Sequence, residues 1–388
     1  MASTAEAART RAAFPRRLVR AIVVVAVVIA LLVVSAWAVL SQPQFGAPMT
    51  GARLQRAMAN PQYRDGRFTN LEPETPTTMA ALGGYLVRQF QGHEVREPPK
   101  PLPVLAVDKA ALAAAPPASG LRAFWIGHAS TYVEIDGQRL LLDPVFAERV
   151  SPVPVGPRRF HPPPIALADL PRIDAVLVSH DHYDHLDMDT VRHLAQRGSK
   201  FFVPLGIGAH LERWGVPAAQ IEELEWWQER SIGGVRIVCT PTRHYSGRGL
   251  RNRSSTLWSS WSVVGPRHRF FYSGDTGYAQ VFRDIGERLG PFDMAFIKIG
   301  AYGPGAAWTD IHMTPEQAVQ VQRDVRARRM LPVHWSTFNL AYHDWDEPIR
   351  RTVAEAARVG TEVVTPRLGE WVDADRPFQS TPWWESVR

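Results

Sequence analysis

Apolar and polar positions along this chain fall into three textures. The first is one unbroken run: every residue from 21 to 40 is apolar except Ser35. At about 1.5 Å per helical residue such a run reaches about 30 Å, the thickness of a bilayer core, and so predicts a helix that crosses a membrane once. The second texture, residues 41–119, has clustered prolines (Pro98, Pro99, Pro101, Pro103, Pro116, Pro117) and little periodicity. It is expected to be a linker and an irregular segment lying on the main domain. The third runs over 120–376, the expected main domain, with 377–388 left as a C-terminal tail.

In this third region short apolar runs predict strands at 121–126, 131–135 and 139–142, with Asp136-Gly137 as a tight hairpin turn. Further runs at 175–178, 201–203, 235–239, 257–264, 269–272, 294–299 and 330–333 alternate with helical patterns. Thr314-Pro315-Glu316 reads as a helix start, with Thr as cap, Pro at the first helical position and an acid in the first turn. Strand pairs first and interleaved helices later suggest an α/β class with two mixed sheets packed together and helices outside.

Charge sharpens the membrane reading. Of 388 residues, 44 are Lys or Arg and 38 Asp or Glu. Arg9, Arg11, Arg16, Arg17 and Arg20 stand before the apolar run against Glu6 alone, leaving 39 basic and 37 acidic residues, +2, for the other 368. The basic tail of residues 1–20 therefore orients a membrane helix, N-terminus in the cytoplasm and the rest outside, and the remainder is too balanced to be a nucleic-acid-binding surface. A cleaved signal peptide is the competing reading: Ala36-Trp37-Ala38 resembles a cleavage site, which would leave a secreted or periplasmic protein. Cys239 is the only cysteine, so an intrachain disulfide and a cysteine-based zinc site are both excluded. Any metal must be held by His and carboxylate.

Those residues are concentrated. His180-Asp181-His182-Tyr183-Asp184-His185 follows a predicted strand, where a loop can turn His180, His182, Asp184 and His185 toward one point. His244, Asp275 and His334 stand at the ends of later predicted strands. Imidazole and carboxylate both bind zinc at about 2.0–2.2 Å, and seven such ligands exceed one tetrahedral site. Two divalent ions, most simply Zn2+, resolve the count: His180, His182 and His244 on one, Asp184, His185 and His334 on the other, Asp275 bridging. Such a pair would lower the pKa of a trapped water from about 15.7 toward 7 and hold hydroxide between the ions at neutral pH. Asp181 is expected outside both sets, behind the ligands or capping a helix. His93, His161, His193, His210, His268 and His343 are set aside as structural.

The H-x-H-x-D-H run with distal His244, Asp275 and His334 resembles the metallo-β-lactamase superfamily over the main domain, which implies an αββα sandwich. Several short motifs resemble one branch, the N-acyl-phosphatidylethanolamine-hydrolysing phospholipases D. They are Trp125-Ile126-Gly127-His128-Ala129-Ser130, Leu142-Asp143-Pro144, Gly156-Pro157-Arg158-Arg159-Phe160, Phe202-Val203-Pro204-Leu205-Gly206, Gly274-Asp275-Thr276-Gly277-Tyr278, Ile299-Gly300-Ala301-Tyr302 and His334-Trp335-Ser336-Thr337-Phe338. Residues 1–85 lack such motifs, and the stretch before His312 departs from the branch pattern.

The resemblance implies a zinc-dependent phosphodiester hydrolase acting on a membrane phospholipid by phospholipase D-type cleavage. Asp184, Asp275 and His312 are the expected catalytic residues, His312 touching phosphate or protonating the leaving oxygen. His312, Trp227 and Tyr302 are the expected substrate contacts, and Trp226, Trp258 and Trp261 could line an acyl groove. Two alternatives stay open: a metal-dependent lactonase or ester hydrolase on a small polar substrate, and a membrane-tethered metal-binding protein without turnover. A homodimer is compatible with all three.

Overall fold

The computed structural model describes residues 16–76, 78–79, 83–84, 87–88, 91–249 and 251–388, so the tail arginines Arg9 and Arg11 lie outside the described residues. The chain divides into two units, residues 1–45 and 46–388. In the first, one helix spans Arg16–Leu40, and its part Arg20–Leu40 is long and apolar enough to cross a membrane.

The second unit is a sandwich of two seven-stranded sheets. A small hairpin, β1 (Tyr63–Arg64) and β2 (Arg67–Phe68), precedes it. The first sheet uses β3 (Leu121–Gly127), β4 (Ser130–Ile135), β5 (Gln138–Leu142), β6 (Ala175–Leu177), β7 (Lys200–Pro204) and β8 (Ile221–Leu224). The second uses β9 (Glu229–Ile232), β10 (Val235–Thr240), β11 (Ser260–Val264), β12 (Arg269–Tyr272), β13 (Phe292–Lys298), β14 (Ala327–Val333) and β15 (Glu362–Val363). The chain then returns to the first sheet as β16 (Trp371–Asp373). The orders are β16-β3-β4-β5-β6-β7-β8 and β15-β14-β13-β12-β11-β10-β9. Each sheet is antiparallel toward one side and parallel toward the other.

Strand alternation explains the long apolar runs, because both faces are covered. Val133, Leu140, Leu142 and Leu177 of the first sheet meet Ile237, Cys239, Trp261 and Phe296 of the second in the central core. On the outside of the first sheet Phe124, Tyr132, Leu141 and Val176 pack beneath Val191 and Leu194 of the helix Met188–Gln196. Outside the second, Phe271 meets Phe282 of the helix Val281–Leu289 with ring centroids 6.1 Å apart. The hairpin turn at Asp136-Gly137 has the positive φ angles, 43° and 86°, that such a turn requires. Thr314 caps the helix Pro315–Asp324, with Gln317 closing a capping box.

Two expectations are corrected. The segment after residue 45 is not irregular throughout: Gly51–Ala59 is helical, because Leu54 and Ala57 share one face that packs on the domain. Arg53 and Arg56 on that helix bind Glu223 at 2.6 Å and Glu225 at 2.7 Å. The residues after 376 are not a free tail. Trp383, Trp384 and Val387 are buried, and Trp383 stacks on Trp335 at 5.3 Å, which itself stacks on Trp125 at 5.4 Å. Phe378, Trp383, Trp384 and Val387 in so short a stretch carried too little pattern to be read as core.

Candidate metal centre

The carboxyl ends of β3, β5, β6, β10, β12, β13 and β14 reach one edge of the sandwich, where ligands of open α/β sheets generally bind. His128, Asp143, His180, His244, Asp275, Lys298 and His334 stand at or just beyond those ends. The loop after β6 turns tightly, with the N–H groups of His185 and Leu186 donating to the His182 carbonyl at 3.1 and 2.9 Å. One short loop can thereby face His180, His182, Asp184 and His185 inward.

Side-chain donor atoms gather in two groups. His180, His182 and His244 offer nitrogens within 4.8 Å of one another, and an Asp184 oxygen with nitrogens of His185, His334 and His128 forms an equally close group. Asp275 lies between them: its Oδ2 is 3.4 Å from His185 Nε2 and 3.9 Å from His244 Nε2, and its Oδ1 is 3.0 Å from His334 Nε2.

Hydrogen bonds behind the rings fix which nitrogens face inward. His244 Nδ1 donates to the Ile311 carbonyl at 2.9 Å, so its Nε2 presents a lone pair. Ser179 Oγ donates to Asp143 and therefore accepts from His180 Nδ1 at 2.9 Å, leaving His180 Nε2 bare as well. That nitrogen is 2.8 Å from His182 Nδ1. On the other side, His185 Nδ1 is held by Asp143 at 2.6 Å. Among the described residues the buried atoms His185 Nε2, Asp275 Oδ1 and both His334 ring nitrogens have no hydrogen-bond partner, even though Asp275 Oδ1 and His334 Nε2 are so close. Buried polar atoms are normally satisfied, and converging lone pairs and carboxylate oxygens without protons between them are the donor set a divalent cation takes. The residues fit a metal.

Electrostatics agree. Burial keeps His180 and His244 far below the usual histidine range, as neutral donors. Burial opposes the charge on Asp184 and Asp275, yet neighbouring histidines hold both carboxyls well below the usual range. His185 departs from this pattern: Asp275, Asp184 and Asp143 outweigh burial and push it up toward the protonated ring, a positive charge at Nε2 that a bound cation would replace.

His312 sits beside the cluster. Its Nδ1 is 2.8 Å from Lys298 Nζ and 3.6 Å from Asp275 Oδ2, and burial and Lys298 keep it neutral. Burial lowers Lys298 to about 8, with Asp275 and Asp184 opposing. Asp181 stands behind the loop, accepting from His210 Nε2 at 3.1 Å, Thr256 Oγ1 at 3.0 Å and Gly247 N at 2.6 Å. The helix cap after the loop is Asp187.

The proposed aromatic contacts are not gathered here. Trp258 and Trp261 are closed to a lipid chain: both are fully buried, with indole N–H groups bonded to the Thr242 and Val178 carbonyls. Trp226 donates to the Trp258 carbonyl at 2.7 Å. Trp227 lies under the Arg288 guanidinium, 4.3 Å from its ring centre. Tyr302 turns its hydroxyl to Glu347 at 2.7 Å and stacks on His343.

Besides Lys298, two residues given no role from the sequence belong to the site. His128 Nε2 is 2.9 Å from Asp184 Oδ2, and burial with His334 nearby lowers its pKa to about 3, so a neutral ring donates to that carboxylate. Asp143 ties Ser179, His185 and Tyr272 together. Both lay inside motifs quoted for the resemblance, His128 after a strand-ending glycine.

Residues 138–335 match the beta-lactamase superfamily domain. The chain is 46% identical over 332 residues to an uncharacterized protein of Mycobacterium tuberculosis, covering 84% of this chain and 87% of the relative. It is 39% identical over 275 residues to N-acyl-phosphatidylethanolamine-hydrolyzing phospholipase D 1 of Caenorhabditis elegans, covering 66% of this chain and 77% of that one. Among solved structures, an isothiocyanate hydrolase from Delia radicum gut bacteria superposes with a TM-score of 0.53 at 18% identity, over 65% of this chain and 98% of the other. A metallo hydrolase of Ignicoccus hospitalis gives 0.50 at 20%, over 67% and 100%. These two likenesses speak for the fold alone. With the sandwich, the matched domain and the histidine and aspartate clusters together, the chain belongs to the metallo-β-lactamase superfamily, as a metal-dependent hydrolase related to the N-acyl-phosphatidylethanolamine-hydrolyzing phospholipases D.

Proposed function

We propose that the protein is a phosphodiester hydrolase that cleaves N-acyl-phosphatidylethanolamine or a related membrane phospholipid in the manner of a phospholipase D. The observation that carries this reading is that Asp275 lies within 3.9 Å of donor nitrogens from both histidine groups, in a chain 39% identical to an enzyme named for that reaction. His180, His182 and His244 would hold one divalent ion, Asp184, His185 and His334 a second, with Asp275 between, and zinc suits this imidazole and carboxylate set. When bound, such ions polarise phosphate oxygens and make water acidic.

The chain's own residues do the rest. Asp184, oriented by His128, takes a proton from the attacking water as its oxygen bonds to phosphorus. The bond from phosphorus to the alcohol oxygen breaks. His312 gives its Nε2 proton to that oxygen and regains one from the proton Asp184 took up, so phosphatidic acid and an N-acylethanolamine leave with both side chains as they began. The helix Arg16–Leu40 tethers the enzyme to the bilayer that supplies the lipid, with Arg16, Arg17 and Arg20 on the cytoplasmic side and the hydrolase outside.

Hydrolysis in ¹⁸O-labelled water tests the reaction. Label is expected in phosphatidic acid; label in a fatty acid or an opened lactone would move the site to acyl chemistry.

A further inference from the structure

We propose that Lys298 is a positioning residue that holds His312 in the one neutral tautomer able to give a proton to the leaving oxygen. The proposal rests on the reading of His312 as proton donor and adds to it a residue outside the donor groups.

Lys298 ends β13, a strand whose other buried residues, Phe292, Met294, Ala295, Phe296 and Ile297, are all apolar. Its side chain is fully buried, and lysine is among the residues least often sealed from water without a partner. An apolar residue would fill that wall at less cost, so the amine needs a local reason. Its hydrogen-bond partner is His312 Nδ1, at 2.8 Å. An ammonium has three donors and no acceptor. Nδ1 must then accept, and the single proton of the neutral ring sits on Nε2.

Without the lysine that preference is lost. Asp275 Oδ2 lies 3.6 Å from the same Nδ1, where a proton can then sit, and a ring protonated on Nδ1 has only a lone pair at Nε2 and nothing to donate. The ammonium also occupies the approach to Nδ1. That keeps His312 from joining His244 and Asp275 as a ligand, although their donor atoms lie within 4.8 Å of one another. One buried charge thus sets both the proton's position on His312 and its separation from the metals.

The test uses the full-length, metal-loaded chain with ¹⁵N-labelled histidine, the His312 signals being identified by their loss in His312→Gln. The wild type is expected to show protonated Nε2 and bare Nδ1. Lys298→Met, similar in shape but without a donor, should move the proton toward Nδ1. It should also lower kcat on N-acyl-phosphatidylethanolamine by at least about 10-fold with KM and metal content little changed, since general acid help is worth about 10² to 10⁴. Lys298→Gln, whose amide can still donate to Nδ1, should restore the Nε2 proton and most of the rate. A wild-type ring protonated on Nδ1, a Lys298→Met ring unchanged in tautomer, or equal loss of metal and rate would each overturn the proposal. Should Lys298→Met fail to fold, the wild-type and Lys298→Gln tautomers decide alone. A Lys298-dependent tautomer in a protein that cleaves no phosphodiester would sink the substrate reading and leave the positioning role standing.

Discussion

At the scale of single residues, the second layer matters as much as the donors. Asp143 offers an oxygen within 4.8 Å of donor nitrogens of His180 and His185, but its carboxylate is already engaged, accepting from Ser179 N, Ser179 Oγ, His185 Nδ1 and Tyr272 OH. It thereby fixes two donor rings, His185 directly and His180 through Ser179. Partners of this kind change metal affinity by about 10- to 100-fold, so Asp143→Asn is expected to weaken divalent-ion binding by that factor in a chelator competition. Undiminished affinity would show that the rings hold themselves. Asp275→Ala should be harsher, abolishing turnover and lowering metal content by elemental analysis, because it withdraws a carboxylate from both groups. The H-x-H-x-D-H run was legible because four suitable side chains in six residues announce themselves. Asp143, His128 and Lys298 were not, because each is a lone residue whose meaning comes from what the fold brings against it.

At the scale of elements, the predicted strands are all the interior ones, from β3 to β7 and from β10 to β14. In the two large sheets the four that escaped prediction, β8, β9, β15 and β16, are the edges. Edges avoid apolar continuity: Glu222, Glu223, Glu229 and Arg230 break the pattern in β8 and β9, as suits strands that must not pair with another chain. The segment after β2 was equally opaque, yet it straps the site. Asn70 Oδ1 accepts from His244 N and Trp258 Nε1, both at 3.0 Å, and Asn70 Nδ2 donates to the His244 carbonyl at 2.8 Å. Thr75 N binds Asp310, and Gln280 N binds Glu72. Asn70→Ala removes three bonds around a buried donor and is expected to destabilise the fold by about 1–3 kcal/mol in chemical denaturation, with faster amide exchange at His244. A loss of stability without faster exchange there would remove the strap from the account of the site.

At the scale of the whole molecule, the sheets are also fastened at the end away from the metal cluster. His268, in the turn between β11 and β12, reaches Asp136 in the β4–β5 hairpin at 2.7 Å and Asp375 at 3.0 Å. Burial works against its charge, but the two carboxylates raise its pKa above the usual value. A raised folded-state pKa stabilises fully below the unfolded value, about 6.5, and the contribution is lost as pH rises through the folded one. The melting temperatures of wild type and His268→Gln should therefore differ most near pH 5.5 and converge toward pH 9. A gap independent of pH would mean that the imidazole works only by shape. The orientation of the N-terminal helix has its own check: a C-terminal tag should be open to protease outside intact cells or spheroplasts, and the reverse would overturn the placement.

One thiol remains. Cys239 lies in β10, sealed between the sheets, and burial pushes it up to about 12. A maleimide cannot reach it while the sandwich is closed, and no other cysteine competes for the reagent. Labelling speed in native buffer is therefore a clock for how often the two sheets part. Because metal binds the closed form, excess zinc should slow that clock in proportion to the occupancy it adds.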